Sequence, residues 1–348
     1  MKPPSKKKIP YPVDDTLHRY LRHYSREIPL MIDYDCLRRF TDSYQLMDKY
    51  GRDSYWLSVT YPRSELKEIS TGLRQIYALL RASGDMSVME HLFVDRIDFC
   101  EFGNSQPFRI RIVNRYNDNQ DYFYVKKADA SRVYGLELEH LLSPNRIHFF
   151  VHNDTLVEEH VVGIPGDQFM KYHLQDPGFK EVRIAKEFVK FNERCFIRLL
   201  GDMRSYNFVV DATPDFEEVQ YRIRPMDFDQ QSYDGRPSFY RPQYFKENNP
   251  LIHFGIKHMD VTSMRQYQRE ERAAFALRMK VEQERLTDLL EAMERQLLAP
   301  WEKIVQLRTG LAEHYHTDRF LSCDTMGAIL RQSLRMVHIG TSADEEML

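Results

Sequence analysis

Asp202, Arg204 and Asn207 stand in the stretch "LLGDMRSYNFVV" with the spacing D-x-R-x-x-N, and Asp227 opens "DFD" one strand later. Phosphoryl transfer uses such a set. One carboxylate orients an attacking hydroxyl, a second carboxylate and an amide hold magnesium against the phosphates, and a cation offsets charge on the transferred group. Magnesium prefers oxygen ligands, which Asp and Asn supply. On this reading Asp202 is the base, Arg204 reaches the γ-phosphate, and Asn207 and Asp227 are the metal ligands. Asp229 either assists the metal or caps the turn. A lysine held by a glutamate grips the α- and β-phosphates in such sites. The candidates are Lys126 or Lys127, and Glu139 or Glu137 on the helix that follows.

Those residues need elements to carry them. "RIDFCEF", "FRIRIVNRY" and "DYFYVKK" alternate apolar and polar residues and break at Gly103-Asn104 and Asn117-Asp118-Asn119, which reads as an antiparallel meander. "DASRVYGLELEHLLS" reads as a short helix, and "RIHFFVHNDTLVEEHVVGIPG" as a hairpin turning at Asn153-Asp154. In a strand only one of two adjacent lysines enters a cleft. Lys126 shares the face of Tyr124, whereas Lys127 in the cleft would turn Lys126 to the packed side at a cost. Glu139 is preferred over Glu137 because "EHLL" sets it beside an apolar face.

Upstream, residues 14–86 read as mostly helical, with Ile69, Leu73, Ile76, Leu79 and Leu80 at helical spacing. Downstream, "FKEVRIAKEFVKFNERCFIRLL" is helical up to the Asp202 loop. "VQYRIRPM" forms a strand after a turn at Thr213-Pro214-Asp215. Residues 230–257 read as a long irregular loop, residues 264–298 as one long charged helix, and two shorter helices follow.

The composition bounds the class. The chain has 348 residues, 42% hydrophobic and 29% charged, as a folded globular protein of about two domains does. A net charge of -3 argues against a general nucleic-acid binder, and "MKPPSKKK" reads as a solvated tail. No run approaches the ~18 apolar residues of a membrane span. The first thirty residues lack the apolar core of a signal peptide. Cys36, Cys100, Cys195 and Cys323 form no C-x-x-C, which reads as reduced thiols in a cytoplasmic protein without structural zinc.

The motifs "VKK", "ELEHLL", "VEEHVVGIPG", "GDMRSYN" and "MDFDQQ", in this order, resemble the protein-kinase-like fold over residues 93–232. "GDMRSYNF" followed by "MDFDQQ" is similar, more narrowly, to the kinase loops of bacterial isocitrate dehydrogenase kinase/phosphatase. The resemblance implies an α+β, two-lobed, kinase-like chain with a small antiparallel-sheet lobe and a larger helical lobe. It gives an N-terminal helical extension at 1–88, the small lobe at 89–163, and the large lobe with a helical tail at 164–348. It also implies a hinge at "EEHVV", where the Glu159 carbonyl and the Val161 amide would take adenine, and a phosphate-covering loop whose one glycine is Gly103. The implied activity is ATP- and Mg2+-dependent phosphorylation of a hydroxyl, with a protein as the expected acceptor. Alternatives are a silent pseudokinase acting through interactions, a small-molecule kinase, and AMP transfer. The pattern departs from protein kinases at "LGD" in place of His-Arg-Asp, at "DFD" in place of Asp-Phe-Gly, and in lacking Ala-Pro-Glu.

Overall fold

A computed structural model describes residues 8–48, 51, 53–176, 178–215 and 218–337. Of the basic start, residues 1–7 lie outside the described residues, whereas Lys8, expected in a solvated tail, is buried and donates to Asp129 at 2.7 Å. The chain is α+β and divides into two compact units. One holds the residues up to Ala130 together with Ile147–His160; the other holds Ser131–Arg146 and everything from Val161 onward.

In chain order the first unit contains α1 (Asp15–His23), α2 (Tyr34–Leu37), β1 (Asp42–Met47), β2 (Asp53–Thr60), α3 (Arg63–Arg81), β3 (Leu92–Phe99), β4 (Phe108–Asn114) and β5 (Gln120–Lys127). After α4 (Ala130–Leu142), which falls in the second unit, it resumes with β6 (Phe149–His152) and β7 (Thr155–Glu159). The strands form one antiparallel sheet in the order β1-β2-β3-β4-β5-β7-β6. The expected meander is β3–β4–β5, and the expected hairpin is β6–β7, turning through Asn153 at φ 49°. The left-handed region suits Asn better than most residues.

Alternation gives the sheet one apolar face. Phe108, Ile110 and Ile112 of β4 and Phe123 and Val125 of β5 are buried on it with Ile69, Leu73 and Ile76 of α3. Truncating one such side chain, as in Leu73→Ala, costs about 2–5 kcal/mol. The opposite face carries Asp98, Arg109, Tyr124 and Glu158 in one register row across four strands. The outer edge of β6 is covered by the chain itself: Val151 N donates to Arg26 O and Ile28 N donates to Val151 O. Covering an edge in this way blocks pairing with other chains.

The β1–β2 hairpin corrects the expectation that residues 14–86 are mostly helical. Strand β1 is an edge strand with almost every residue exposed, so it carries no buried alternation to read.

The second unit adds β8 (Ile164–Pro165), α5 (Gly166–Tyr172), α6 (Glu181–Ile197), β9 (Phe208–Asp215), β10 (Glu218–Pro225), α7 (Asn249–His258), α8 (Val261–Val281), α9 (Gln283–Glu294), α10 (Trp301–Tyr315) and α11 (Met326–Arg335). β8, β9 and β10 make a small antiparallel sheet. Strand β9 continues through the turn expected at Thr213-Pro214-Asp215, pairing Thr213 with Gln220. The single helix expected over 264–298 is two, α8 and α9, parted at Glu282, and no Gly or Pro marks the break. The segment expected to be irregular holds three 3₁₀ turns and then α7.

Helix α4 is tied into the second unit by charge. Glu137 pairs with Arg285 of α9, Glu139 with the buried Arg198, and Tyr134 donates to Gln296 at 3.1 Å. Among the described residues all four cysteines are free, and no helix is long and apolar enough to cross a membrane.

Candidate functional site

The Asp202 loop begins where α6 ends. Leu199 takes φ 55°, and Leu200 N donates back to Cys195 O at 2.9 Å, a left-handed helix stop. The next residues are held against the stretch after "DFD". Leu200 bridges to Gln231, Gly201 N donates to Gln230 O, and Ser232 N donates to Leu199 O. Gly201 is required here, because a Cβ would sit 2.7 Å from the Phe239 ring. Asp202 itself lies at φ 58°, and its N donates to Phe239 O at 3.2 Å. A non-glycine residue in that region costs about 1 kcal/mol or more and persists where surrounding contacts over-determine it.

Asn207 closes the loop. Its Nδ2 donates to the Asp202 carbonyl at 2.7 Å and lies 3.4 Å from the Asp202 carboxylate. Its carbonyl accepts from Met226 N at 3.0 Å, which sets Asp227 beside it at the end of β10. The three residues read from the sequence as base and metal ligands therefore belong to one hydrogen-bonded arrangement within one unit. Arg204 Nε donates to Asp202 at 2.9 Å, its Nη1 donates to Glu247 at 2.6 Å, and the guanidinium lies over the Phe245 ring.

The electrostatics are uneven. Burial pushes the Asp202 carboxyl up to about 6 from an ordinary 3.8; Arg204 opposes the rise, and Asp227 and Glu247 add to it. Asp227 and Asp229 share Arg132 of α4 as a counter-ion, whose Nη1 lies 2.8 Å from Asp227 and 2.7 Å from Asp229. Helix α4 can lie this close because Gly135 has no side chain: a Cβ there would meet Phe228 Cβ at 3.0 Å.

The donor set suits a hard cation in kind, since Asp227, Asp229 and Asn207 offer only oxygen ligands with an acid under Coulombic pressure nearby. Among the described residues no group of three or more His, Cys, Asp or Glu side chains could by itself hold a metal ion.

The remaining candidates divide between the units. Lys126 is buried, donates to Glu158 at 2.7 Å and lies over the Tyr124 ring, whereas Lys127 is exposed. Glu159 accepts from Arg81 at 3.0 Å and from His148 N at 2.9 Å. The chain passes from one unit to the other between His160 and Val161, within "EEHVV", and Val161 is buried. Gly103 sits in the β3–β4 loop, which Tyr34 holds by donating to Gln106 O. Glu139 and Glu137 are the α4 acids paired with Arg198 and Arg285.

Sequence reasoning passed over three participants. Glu158 emerges only from the strand register, in which β5 and β7 pair Tyr124 with Glu158, one step from Lys126 along the same face. Arg132 and Gln231 carried no local signal, because they act through contacts far along the chain. No protein-family model matches the sequence, and no curated protein matches it.

Proposed function

We propose that the chain is a phosphotransferase using ATP and magnesium, with the second unit's Asp202 loop as its chemical centre. The observation that carries the reading is the junction of Asp202, Asn207 and Asp227: a strained acid with its carboxyl near 6, an amide bonded to that acid, and a second acid that raises its pKa. A carboxyl at about 6 is about nine-tenths ionised at pH 7, fit to accept a proton from a hydroxyl.

In this reading the acceptor hydroxyl donates its proton to Asp202 as its oxygen bonds to the γ-phosphorus, and the bond to the bridging oxygen breaks to release ADP. Asn207 and Asp227, with Asp229 beside them, would hold magnesium, which supplies charge neutralisation on the phosphates when bound. Arg204 steadies the transferred group. Lys126, buried and held by Glu158, is the nucleotide-gripping lysine of choice over the exposed Lys127. A protein acceptor in the cytoplasm is the favoured setting.

The test is Mg2+-ATP turnover and autophosphorylation by the full chain, compared with Asp202→Ala and Asp227→Ala, with mass spectrometry of the product. Wild-type turnover that both substitutions abolish supports the proposal. Added AMP in place of phosphate redirects it to nucleotide transfer.

One contact favours a second reading. Arg132 already provides a cation to Asp227 and Asp229, as a silent kinase-like interaction protein would. Identical traces for wild type and both variants would select that reading.

A further inference from the structure

A second charged region lies on α8, and its charge is of the opposite sign. Arg265, Gln268, Arg269 and Arg272 fall at spacings of three, four and seven, which is one face of a helix. They line two adjoining cavities of about 250 Å³ and 360 Å³ that share Gln268 and Arg272. Arg241, from the 3₁₀ segment, and His314, from α10, complete the first.

The charges there do not cancel. Arg272 Nε donates to Glu193 at 2.5 Å. Arg241 lies over Phe196 and donates to the His314 ring at 2.9 Å, and a neutral imidazole returns no charge. His314 is held down to about 4 by burial and then by Arg241, Arg272 and His316. Among the described residues Arg265 and Arg269 make no ion pair. The acids beside them on the helix are directed elsewhere, Glu270 to Lys190 and Glu271 to Arg194. Four guanidiniums therefore face one carboxylate. Like charges gathered in cavities repel, and a bound anion relieves them.

We propose that these adjoining cavities bind a small polyanion bearing at least two phosphate groups, one in each cavity. Guanidinium forks match phosphate oxygens in pairs, which a point charge does not. Gln268, Gln243 and Asn192 are neutral amides on the walls, so affinity rests on the arginines. The site is separate in composition from the Asp202 loop and does not depend on the phosphotransferase reading.

Calorimetric titration of the full chain with inorganic pyrophosphate, in metal-free buffer, tests it. Three proteins are compared: wild type, Arg265→Ala with Arg269→Ala, and a control carrying Arg295→Ala with Arg335→Ala. All four substituted arginines are exposed, so the folds should survive, which thermal melting checks. The proposal expects wild type and control to bind alike, and the Arg265/Arg269 variant to bind at least about tenfold more weakly. It also expects pyrophosphate to bind at least about tenfold tighter than orthophosphate, because only the former spans both cavities. Equal binding by all three proteins, or no binding of pyrophosphate by wild type at millimolar concentration, overturns it.

Discussion

Asp98 in the sheet unit and Asp202 in the helical unit are both acids withdrawn from water, and they are held in opposite ways. Asp98 is fully buried and receives four N–H donors from two arginines, Arg96 and Arg109. Arg109 in turn lies over the Trp56 ring. Asp202 receives one arginine and a share of an amide, sits in a left-handed backbone conformation, and is pushed up to about 6 by burial and a neighbouring acid. The first arrangement satisfies a charge; the second leaves one poised. Asp98 is fully buried and fully paired, whereas Asp202 is half-buried and only partly paired, and on the proposed reading that incomplete compensation is what separates a charge that does chemistry from one that stabilises the fold.

The largest expected effect is on activity. Asp202→Asn should lower phosphoryl transfer by about 10³-fold, because the amide cannot take a proton. Steady-state turnover with Mg2+-ATP reads it, and a loss of less than about tenfold would remove Asp202 from the role of base.

The comparison breaks next at Asp98. Asp98→Asn should destabilise by about 2–3 kcal/mol in urea unfolding, since the fully buried carboxylate that takes four N–H donors is lost and two half-buried guanidiniums are left without it. Asp202→Asn should do the reverse and stabilise by about 1–2 kcal/mol at pH 7, since it removes a half-buried, incompletely compensated charge. If both substitutions shift stability in the same direction, the contrast between the two acids is false.

The pH dependence sharpens the same point. The folded-state pKa of Asp202, about 6, lies above its ordinary 3.8, so the folded protein binds this proton more tightly than the unfolded one. The resulting penalty is absent below about pH 4, grows between 4 and 6, and is complete above 6, reaching about 2–3 kcal/mol. Wild type should therefore lose stability relative to Asp202→Asn as pH rises through that window. Its kcat/KM should fall as pH drops below about 6. The smallest effect is expected at Lys127, where replacement by Ala should change stability by no more than about 0.5 kcal/mol because the side chain is exposed.

How much of this was legible in the sequence follows from where the information lies. The meander, the β6–β7 turn and α6 are written in short-range alternation and turn residues, and they were read correctly. The Asp202 loop stands out in the sequence because its residue types and spacing are local. Strand β1 was missed because an exposed edge strand need not alternate. The pairing of Lys126 with Glu158 needed strand register, and the grip of Arg132 on Asp227 and Asp229 spans about a hundred residues of chain. Arg265, Arg269 and Arg272 read from the sequence only as part of one long charged helix, since the excess of guanidinium there emerges only when Glu270 and Glu271 are seen to be engaged elsewhere and Arg241 is brought in from a distant segment.

The most direct test of the central claim is ATP binding by the full chain measured with and without magnesium, in wild type and in Asp227→Asn. The account predicts that magnesium strengthens wild-type binding by at least about tenfold and that the substitution erases this gain. ATP affinity that is indifferent to magnesium, or a magnesium effect of the same size in Asp227→Asn, would contradict it.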